Sequence, residues 1–378
     1  MFNDYTGLID LEKVLKDEYN YVFNGNLIDL YSQSFIELEG EGTNALCWIK
    51  YHDNSYLFKY FPDFKNNVWG ELLSQEFAKK LGIPCAEYHT AFFRDKKGLL
   101  SKQMLEEKET LILGYEVFQD FLNSATKKGK KKDILKKIFD NYLIPEKIRN
   151  YSSLTQSNAV FSRLNTLDQI WDILEEKNDI KEDEIQIIIN SFVNMLLFDI
   201  FTLQGDRHPN NWGLIKTEKS YRASPLFDNS TSFGLGSPFM DKTITNFKNE
   251  FMYAKSVEDY ERVDKIVYLA RPSFTLSNDN IKNNDKESSL DVFRDFIRKT
   301  GQDSLKYIKP FFREMNAFNL ENIIEKISLE NGIEMYDDLF GYIYNVFNYH
   351  QRKLENVIDR EYNSGEVKQS KILTKIYT

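Results

Sequence analysis

Two short segments carry the residue types that phosphate chemistry needs. One is Gly205-Asp206-Arg207-His208-Pro209-Asn210-Asn211-Trp212-Gly213, and the other is Pro225-Leu226-Phe227-Asp228-Asn229-Ser230. Asp228 follows Asn211 by 17 residues, a hairpin's length that brings the chain back to where it started. In phosphoryl transfer one carboxylate orients or accepts the proton of the attacking hydroxyl. An amide oxygen and a second carboxylate then hold Mg²⁺ against the phosphates. Mg²⁺ prefers hard oxygen ligands and keeps several waters, so one or two protein ligands suffice. Asp206, Asn211 and Asp228 supply that set, with Arg207 and His208 placed to brace the loop or its acid. The plain alternative is a surface turn, since Asp, Asn, Gly and Pro are the commonest turn formers. The second segment, at the right distance and after an apolar helix, argues against it. A transition-metal hydrolase built on Asp206, His208 and Asp228 would need more histidines than the region offers.

The elements around these loops set where they can sit. The stretch Ile185–Leu203 is about as long as a membrane span, but it carries Gln186, Asn190, Asn194 and Asp199 and reads as a buried core helix. After the first loop, NWGLIK and ASPLFD read as two short strands around a turn near Glu218-Lys219. Nearer the N-terminus, SFIELEGEG, ALCWIKYH and SYLFKYF read as strands broken at Gly40-Glu41-Gly42 and at His52–Ser55. NVWGELLSQEFAKKLGI changes to helical period. It places Val68, Leu72, Leu73, Phe77 and Leu81 on one face and stops at Gly82 before Pro84. EYHTAFFRDKKGLLSKQML returns to strand, with a turn expected at Asp95–Gly98. From about Glu109 the chain reads as mainly helical, ending in a helix that keeps Leu339, Ile343, Phe347, His350, Leu354 and Val357 in phase.

Composition narrows the classes further. The chain has 378 residues, 42% hydrophobic and 28% charged, with 29 Phe and 22 Tyr, ample for a sizeable core. A net charge of −9 disfavours a broad nucleic-acid-binding face, which needs Lys and Arg for the phosphates. The basic run Lys127–Lys137 reads first as a solvated loop and helix start. Cys47 and Cys85 form no CxxC pair, and the acidic N-terminus is no secretory signal. These features point to a protein of the reducing cytoplasm with no transmembrane segment, although a specialised secretion route would leave no such mark.

The pair GDRHPNNWGLI…PLFDNS resembles the catalytic and metal-binding loops of the HipA-like kinases, within the wider protein-kinase and phosphoinositide-kinase superfamily. Phosphoinositide kinases share a DRHxxN loop but usually carry a DFG-type triplet where this chain has Asp228-Asn229-Ser230, which favours the HipA-like side. The likeness spans roughly residues 35–235. It implies an α+β, bilobal protein-kinase-like fold: a small antiparallel β-rich N-lobe with one helix (1–107) and a larger, mainly helical C-lobe (108–378).

Carried over residue by residue, the resemblance makes Asp206 the catalytic aspartate, with His208 and Asn211 beside it. Asn211 and Asp228 become the Mg²⁺ ligands, and Lys59 the lysine that pairs the α/β-phosphates. Glu71 becomes the partner of that lysine, with Glu76 as its competitor. Gly40, Gly42 and Thr43 lie in the phosphate-covering loop, which departs from a full GxGxxG. Gln103 and Met104 begin the hinge near adenine. HipA-like kinases can autophosphorylate near the phosphate loop, which makes Thr43 a candidate acceptor, with Ser34 nearby.

The expected activity is ATP- and Mg²⁺-dependent transfer of the γ-phosphate to a Ser or Thr hydroxyl of a protein substrate. A lipid kinase, an AMP-transferring enzyme and a pseudokinase are the alternatives. Many HipA-like kinases are toxins paired with a DNA-binding antitoxin. The resemblance therefore suggests an antitoxin-like partner, while the lack of a basic DNA-binding face and of a helix-turn-helix signal argues against direct nucleic-acid contact by this chain.

Overall fold

The computed structural model describes residues 9–10, 46–51, 54–61, 67–93, 96–127, 165–177, 179–235, 263–264, 267, 272–276 and 288–363. A five-stranded sheet contains β1 (Ile9–Asp10), β2 (Leu46–Tyr51), β3 (Asn54–Tyr60), β4 (Tyr88–Phe93) and β5 (Lys96–Lys102), in the spatial order β1-β4-β5-β3-β2. Helix α1 (Asn67–Leu81) connects β3 to β4. Three of the four strand pairings are antiparallel, as expected. The exception is β1, unforeseen in the sequence, which runs parallel to β4 through Ile9 and Asp10. No tight turn joins these two strands, so nothing imposes the antiparallel sense on them.

The β4–β5 register pairs Phe93 with Lys96, so Lys96–Gly98 belong to β5 and not to the turn expected at Asp95–Gly98. Gly98 lies inside β5 for a different reason. A Cβ there would stand 2.2 Å from the Lys59 carbonyl oxygen and 2.9 Å from the Phe58 ring. Its small size lets β5 close against the strand that carries Lys59.

A smaller sheet joins β6 (Thr110–Leu113), β7 (Gly213–Lys216) and β8 (Tyr221–Ala223), all antiparallel. Residues 110–113 were expected within a helical region. They form a strand because Leu111 and Ile112 pair with Ile215 and Leu214 of β7. The returning strand also sits earlier than ASPLFD suggests. It ends at Ala223, and Leu226 then makes an isolated parallel bridge to Cys85.

The rest of the described chain is mostly helical: α2 (Gly114–Lys127), α3 (Leu167–Glu176), α4 (Glu182–Thr202), α5 (Ser289–Thr300), α6 (Ser304–Asn316), α7 (Leu320–Asn331) and α8 (Asp337–Asn363). Among the described residues only α4 is long and apolar enough to cross a membrane. Its most apolar window is 72% buried, as befits a core helix.

Phe77 of α1 fixes that helix against the others. Its ring lies 5.9 Å from Phe198 of α4, 4.9 Å from Phe318 and 6.4 Å from Phe347 of α8. Such aromatic contacts add specific geometry to the area they bury. The expected one-sided amphipathic pattern of α1 proves too simple, since every residue from Val68 to Ala78 is buried. The polar side of the helix is covered through bonds. Gln75 Oε1 accepts from the Tyr88 amide, and Glu76 pairs with Lys326 of α7 at 2.6 Å. Thr90 and Asn331 add a 3.0 Å bond from β4 to α7.

His350 lies on the buried face of α8, fully enclosed, with Nε2 2.7 Å from the Ile200 carbonyl of α4. Burial lowers its pKa to about 4, so the folded protein holds it neutral while the unfolded chain takes up a proton near pH 6.5. Stability should therefore be full above about pH 6.5 and fall as the pH drops toward 4, by up to about 3 kcal/mol for a shift of this size. His350→Gln, which keeps a donor for Ile200, should flatten that part of the pH–Tm curve. Parallel curves for the two proteins between pH 6.5 and 4 would refute the assignment.

Candidate active site

Helix α4 is capped by Leu203, which lies just past its last residue, adopts a left-handed conformation (φ 57°) and donates its amide to the Asp199 and Ile200 carbonyls. This cap turns the chain sharply into the loop 204–212. The loop then bonds to itself. The Asn211 amide donates to the His208 carbonyl at 2.8 Å, and Asn211 Nδ2 donates to the Asp206 carbonyl at 2.7 Å. His208 Nδ1 accepts from the Asn210 amide, while Nε2 stands 3.8 Å from Asp206 Oδ1. The Asp206 side chain is 53% exposed and so open to a large substrate, whereas Asn211 is buried.

Arg207 points the other way, into the protein, and is fully buried. Its guanidinium meets the Asp199 carboxylate through Nη2 at 2.9 Å and Nε at 3.1 Å. Nη1 donates to the carbonyls of Asn211 (2.9 Å) and Phe227 (2.7 Å), and Nη2 also reaches Asn229 Oδ1 at 2.6 Å. Burial opposes the charge on Arg207, but Asp199 outweighs it and holds the guanidinium protonated. One planar side chain thus fastens both loops to α4. Gln204, also buried, adds a second tie: Nε2 donates to the Asp228 carbonyl at 2.9 Å, while Oε1 accepts from the Asp206 amide and from the Thr231 hydroxyl.

Asp228 itself is left-handed (φ 55°), a conformation that Asp tolerates better than most residues. Its amide donates to the Tyr88 hydroxyl at 3.2 Å. Its Oδ1 lies 2.6 Å from Lys59 Nζ, a contact spanning 169 residues of sequence. Lys59 occupies β3 on the face opposite Phe58 and reaches the loop with its side chain 21% exposed. Burial would lower its pKa, but Asp228 first and then Glu71 and Asp206 outweigh that and raise it.

Glu71 was expected to pair with Lys59. The hydrogen bond it makes is to the Asn229 amide, through Oε2 at 2.8 Å, while Lys59 takes Asp228. It remains within electrostatic reach of both charges. Burial chiefly, then Asp228, pushes its pKa up to about 7 against the pull of Lys59. Glu71 sits in the second turn of α1, beyond the first turn where the helix dipole would explain a carboxylate. Glu76 faces away, held by Lys79 and Lys326, so of the two glutamates only Glu71 faces the loops.

The neighbour Gly70 makes the approach of α1 feasible. A Cβ there would stand 2.3 Å from the Ser230 carbonyl oxygen, a backbone atom that cannot swing aside. Ala is normally the better helix former, yet Gly70→Ala should cost about 1–3 kcal/mol by overpacking. It should also lower turnover by roughly 10²-fold if the Glu71–Asn229 contact is displaced by about 1 Å. A variant as stable and as active as wild type would show that the close approach is dispensable.

Gln103 and Met104 leave β5, half-buried, with the Gln103 amide donating to the Ser55 carbonyl at 2.8 Å. Gly40, Gly42, Thr43, Ser34 and most of the basic run Lys127–Lys137 lie outside the described residues. The structure thus brings Lys59, Glu71, Asp206, Asn211 and Asp228 to one place. The sequence did not indicate Gln204, Tyr88, Asn229 or Gly70. Asp199 did leave a signal, as the one carboxylate inside the apolar run Ile185–Leu203, which had to find a cation.

Among the described residues no cluster of three or more His, Cys, Asp or Glu could hold a metal ion. Mg²⁺ does not require such a cluster, because one or two oxygen ligands suffice and it brings its own waters. The bond from Asn211 Nδ2 to the Asp206 carbonyl leaves Asn211 Oδ1 for a cation, and Asp228 offers Oδ2. The donor set therefore fits Mg²⁺.

No protein-family model matches the sequence, and no curated protein matches it either. Solved structures do. The Helicobacter pylori proinflammatory kinase CtkA superposes with a TM-score of 0.58 at 14% identity, covering 90% of this chain and 95% of its own. HipA, solved with HipB and operator DNA from Shewanella oneidensis MR-1, gives a TM-score of 0.46 at 12% identity, covering 94% of this chain and 74% of its own. The fold of this chain is the kinase fold seen in CtkA, in agreement with the HipA-like resemblance of its two loops.

Proposed function

We propose that this chain is an ATP- and Mg²⁺-dependent kinase that transfers the γ-phosphate to a Ser or Thr hydroxyl of a protein. The observation that carries the reading is the Lys59–Asp228 contact, which sets a sheet lysine beside a loop carboxylate, with Asp206 and Asn211 on the adjoining loop. In this reading residues 1–107 form the nucleotide-binding lobe and 108–378 the helical lobe. Gln103 and Met104 lie near adenine, and Gly40, Gly42 and Thr43 cover the phosphates. Asn211 and Asp228 hold Mg²⁺, which neutralises charge on the phosphates when bound. Lys59 adds its own charge, held beside the Asp228 carboxylate by their 2.6 Å contact. Asp206, with its exposed carboxylate, orients the acceptor hydroxyl, and His208 and Asn211 steady its loop.

The test is incubation with ATP labelled on the γ-phosphate, with and without cell lysate, comparing wild type and Asp206→Ala. Label on protein that disappears in Asp206→Ala supports the reading and marks the substrate. Label on lipid would favour the lipid-kinase alternative. An adduct with the mass of AMP would favour nucleotidyl transfer, and binding without transfer a pseudokinase. An antitoxin-like partner enters this reading only through the HipA-like resemblance, and co-purification from the native cell tests it.

A further inference from the structure

The two peptide carbonyls that flank Asp206 are each held by a side chain from outside the loop. Ser273 Oγ donates to the Gly205 carbonyl at 2.5 Å, and Asn165 Nδ2 donates to the Arg207 carbonyl at 2.7 Å. Between them, the Asp206 amide donates to Gln204 Oε1 and the Asp206 carbonyl accepts from Asn211 Nδ2. The two outside residues are also bonded to each other, because the second hydrogen on Asn165 Nδ2 goes to the Ser273 carbonyl at 2.7 Å. Their segments run side by side. Thr166 makes a parallel bridge to Thr275, and the Thr275 amide donates to the Asn165 carbonyl at 3.3 Å.

Asn165 lies just before α3 and is buried. The Trp212 indole, which can only donate, gives its Nε1 hydrogen to Asn165 Oδ1 at 2.7 Å. That bond fixes which end of the amide faces Trp212, and it turns both Nδ2 hydrogens to the carbonyls of Arg207 and Ser273. The Trp212 ring is itself buried, set edge-on against Phe118 and Phe192 at 5.6 and 5.1 Å between centroids. One buried amide thus links the aromatic core to the backbone beside Asp206.

We propose that Asn165 is a positioning residue for phosphoryl transfer, which together with Ser273 fixes the backbone on either side of Asp206 and so aims its carboxylate at the acceptor hydroxyl. The Asp206 side chain is half-exposed, so its direction depends on the backbone that carries it. A displacement of about 1 Å at a reacting group can cost roughly 10²-fold in rate. The effect on rate rests on the kinase reading. The fixing of the loop does not, and it is read separately.

The test uses the full chain as wild type, Asn165→Ala, Ser273→Ala and Thr166→Ala. Transfer from γ-labelled ATP to lysate protein is followed at varied ATP, alongside hydrogen exchange of the 204–212 amides. Asn165→Ala should lower the maximal rate by about 10²-fold and keep the half-saturating ATP concentration within about twofold. Its loop amides should exchange about tenfold faster, with those of α8 unchanged. Ser273→Ala, which loses the bond to Gly205 but keeps its own carbonyl for Asn165, should lower the maximal rate by up to about tenfold. Thr166, whose hydroxyl caps α3 by accepting from the Gln169 amide, is the structural comparator. Thr166→Ala should lower Tm and keep the maximal rate within about twofold. A wild-type rate or wild-type loop exchange in Asn165→Ala would overturn the proposal, as would an equal loss of rate in Thr166→Ala. If Asn165→Ala melts without a cooperative transition, Ser273→Ala decides by the same two readouts. A wild type that transfers no phosphate would defeat the kinase reading alone, and loop exchange would then decide whether Asn165 fixes the loop.

Discussion

Asp206→Ala should reduce phosphoryl transfer by roughly 10²–10⁴-fold, the usual worth of a positioned acid–base group. Affinity for Mg·ATP should change little, because Asp206 serves the acceptor and not the nucleotide in the proposed arrangement. Stability should also hold to within about 0.5 kcal/mol, as expected for an exposed side chain away from packing. Asp228→Ala should behave differently. It removes a proposed metal ligand and the counter-charge of Lys59, so Mg·ATP binding itself should weaken, by about tenfold or more if charge neutralisation matters as it does in phosphoryl transfer generally. Parallel measurement of single-turnover transfer and of nucleotide affinity separates the two. Normal Mg·ATP binding and turnover in Asp228→Ala would defeat the metal assignment, and an active Asp206→Ala would defeat the catalytic one.

Arg207→Met should be the most destabilising single change at the site. It leaves the Asp199 carboxylate buried without its cation and strips a donor from the Asn211 and Phe227 carbonyls and from Asn229 Oδ1. Removing one partner of a buried ion pair costs about 3–5 kcal/mol. That is a large share of the roughly 5–15 kcal/mol that holds a domain together. A fall in Tm on the order of 10 °C follows from the usual conversion for larger domains. Asp199→Leu combined with Arg207→Met should be more stable than Arg207→Met alone, because the stranded charge is gone. It should still lose most of its activity, since the guanidinium bonds that fasten both loops to α4 are gone and the Gln204 bond to the Asp228 carbonyl is left to hold them together. A Tm within about 1 °C of wild type for Arg207→Met would show that the two loops do not depend on this hub, given the conversion above.

Parts of this outcome were legible from residue order alone. Helix α4 announced itself by a long apolar run, and the strand–helix–strand order of residues 46–102 followed from changes in period. The two loops stood out because several polar side chains of matching chemistry fall at fixed spacing. Other features were not legible. The strand at 110–113 looked like the start of a helical region because four apolar-rich residues carry no decisive period, and only pairing with β7 makes them a strand. The face of α1 was misjudged in the same way. Its polar side is buried by Tyr88, Lys326 and the 228–230 loop, all distant in sequence.

The amino-acid sequence by itself determined which groups are present, how they are spaced within each loop, and that an apolar helix precedes them. Those are local properties, set by side-chain chemistry and by hydrophobic period. Only the tertiary structure decided that Lys59 meets Asp228, that Glu71 rather than Glu76 faces the loops, and that Glu71 reaches the Asn229 amide. It also decided that Arg207 and Gln204 tie the two loops together. These contacts join residues up to 169 positions apart. Their geometry comes from how α1, seated by Phe77 and admitted by Gly70, packs between the sheet and the helices, and no local pattern encodes that packing.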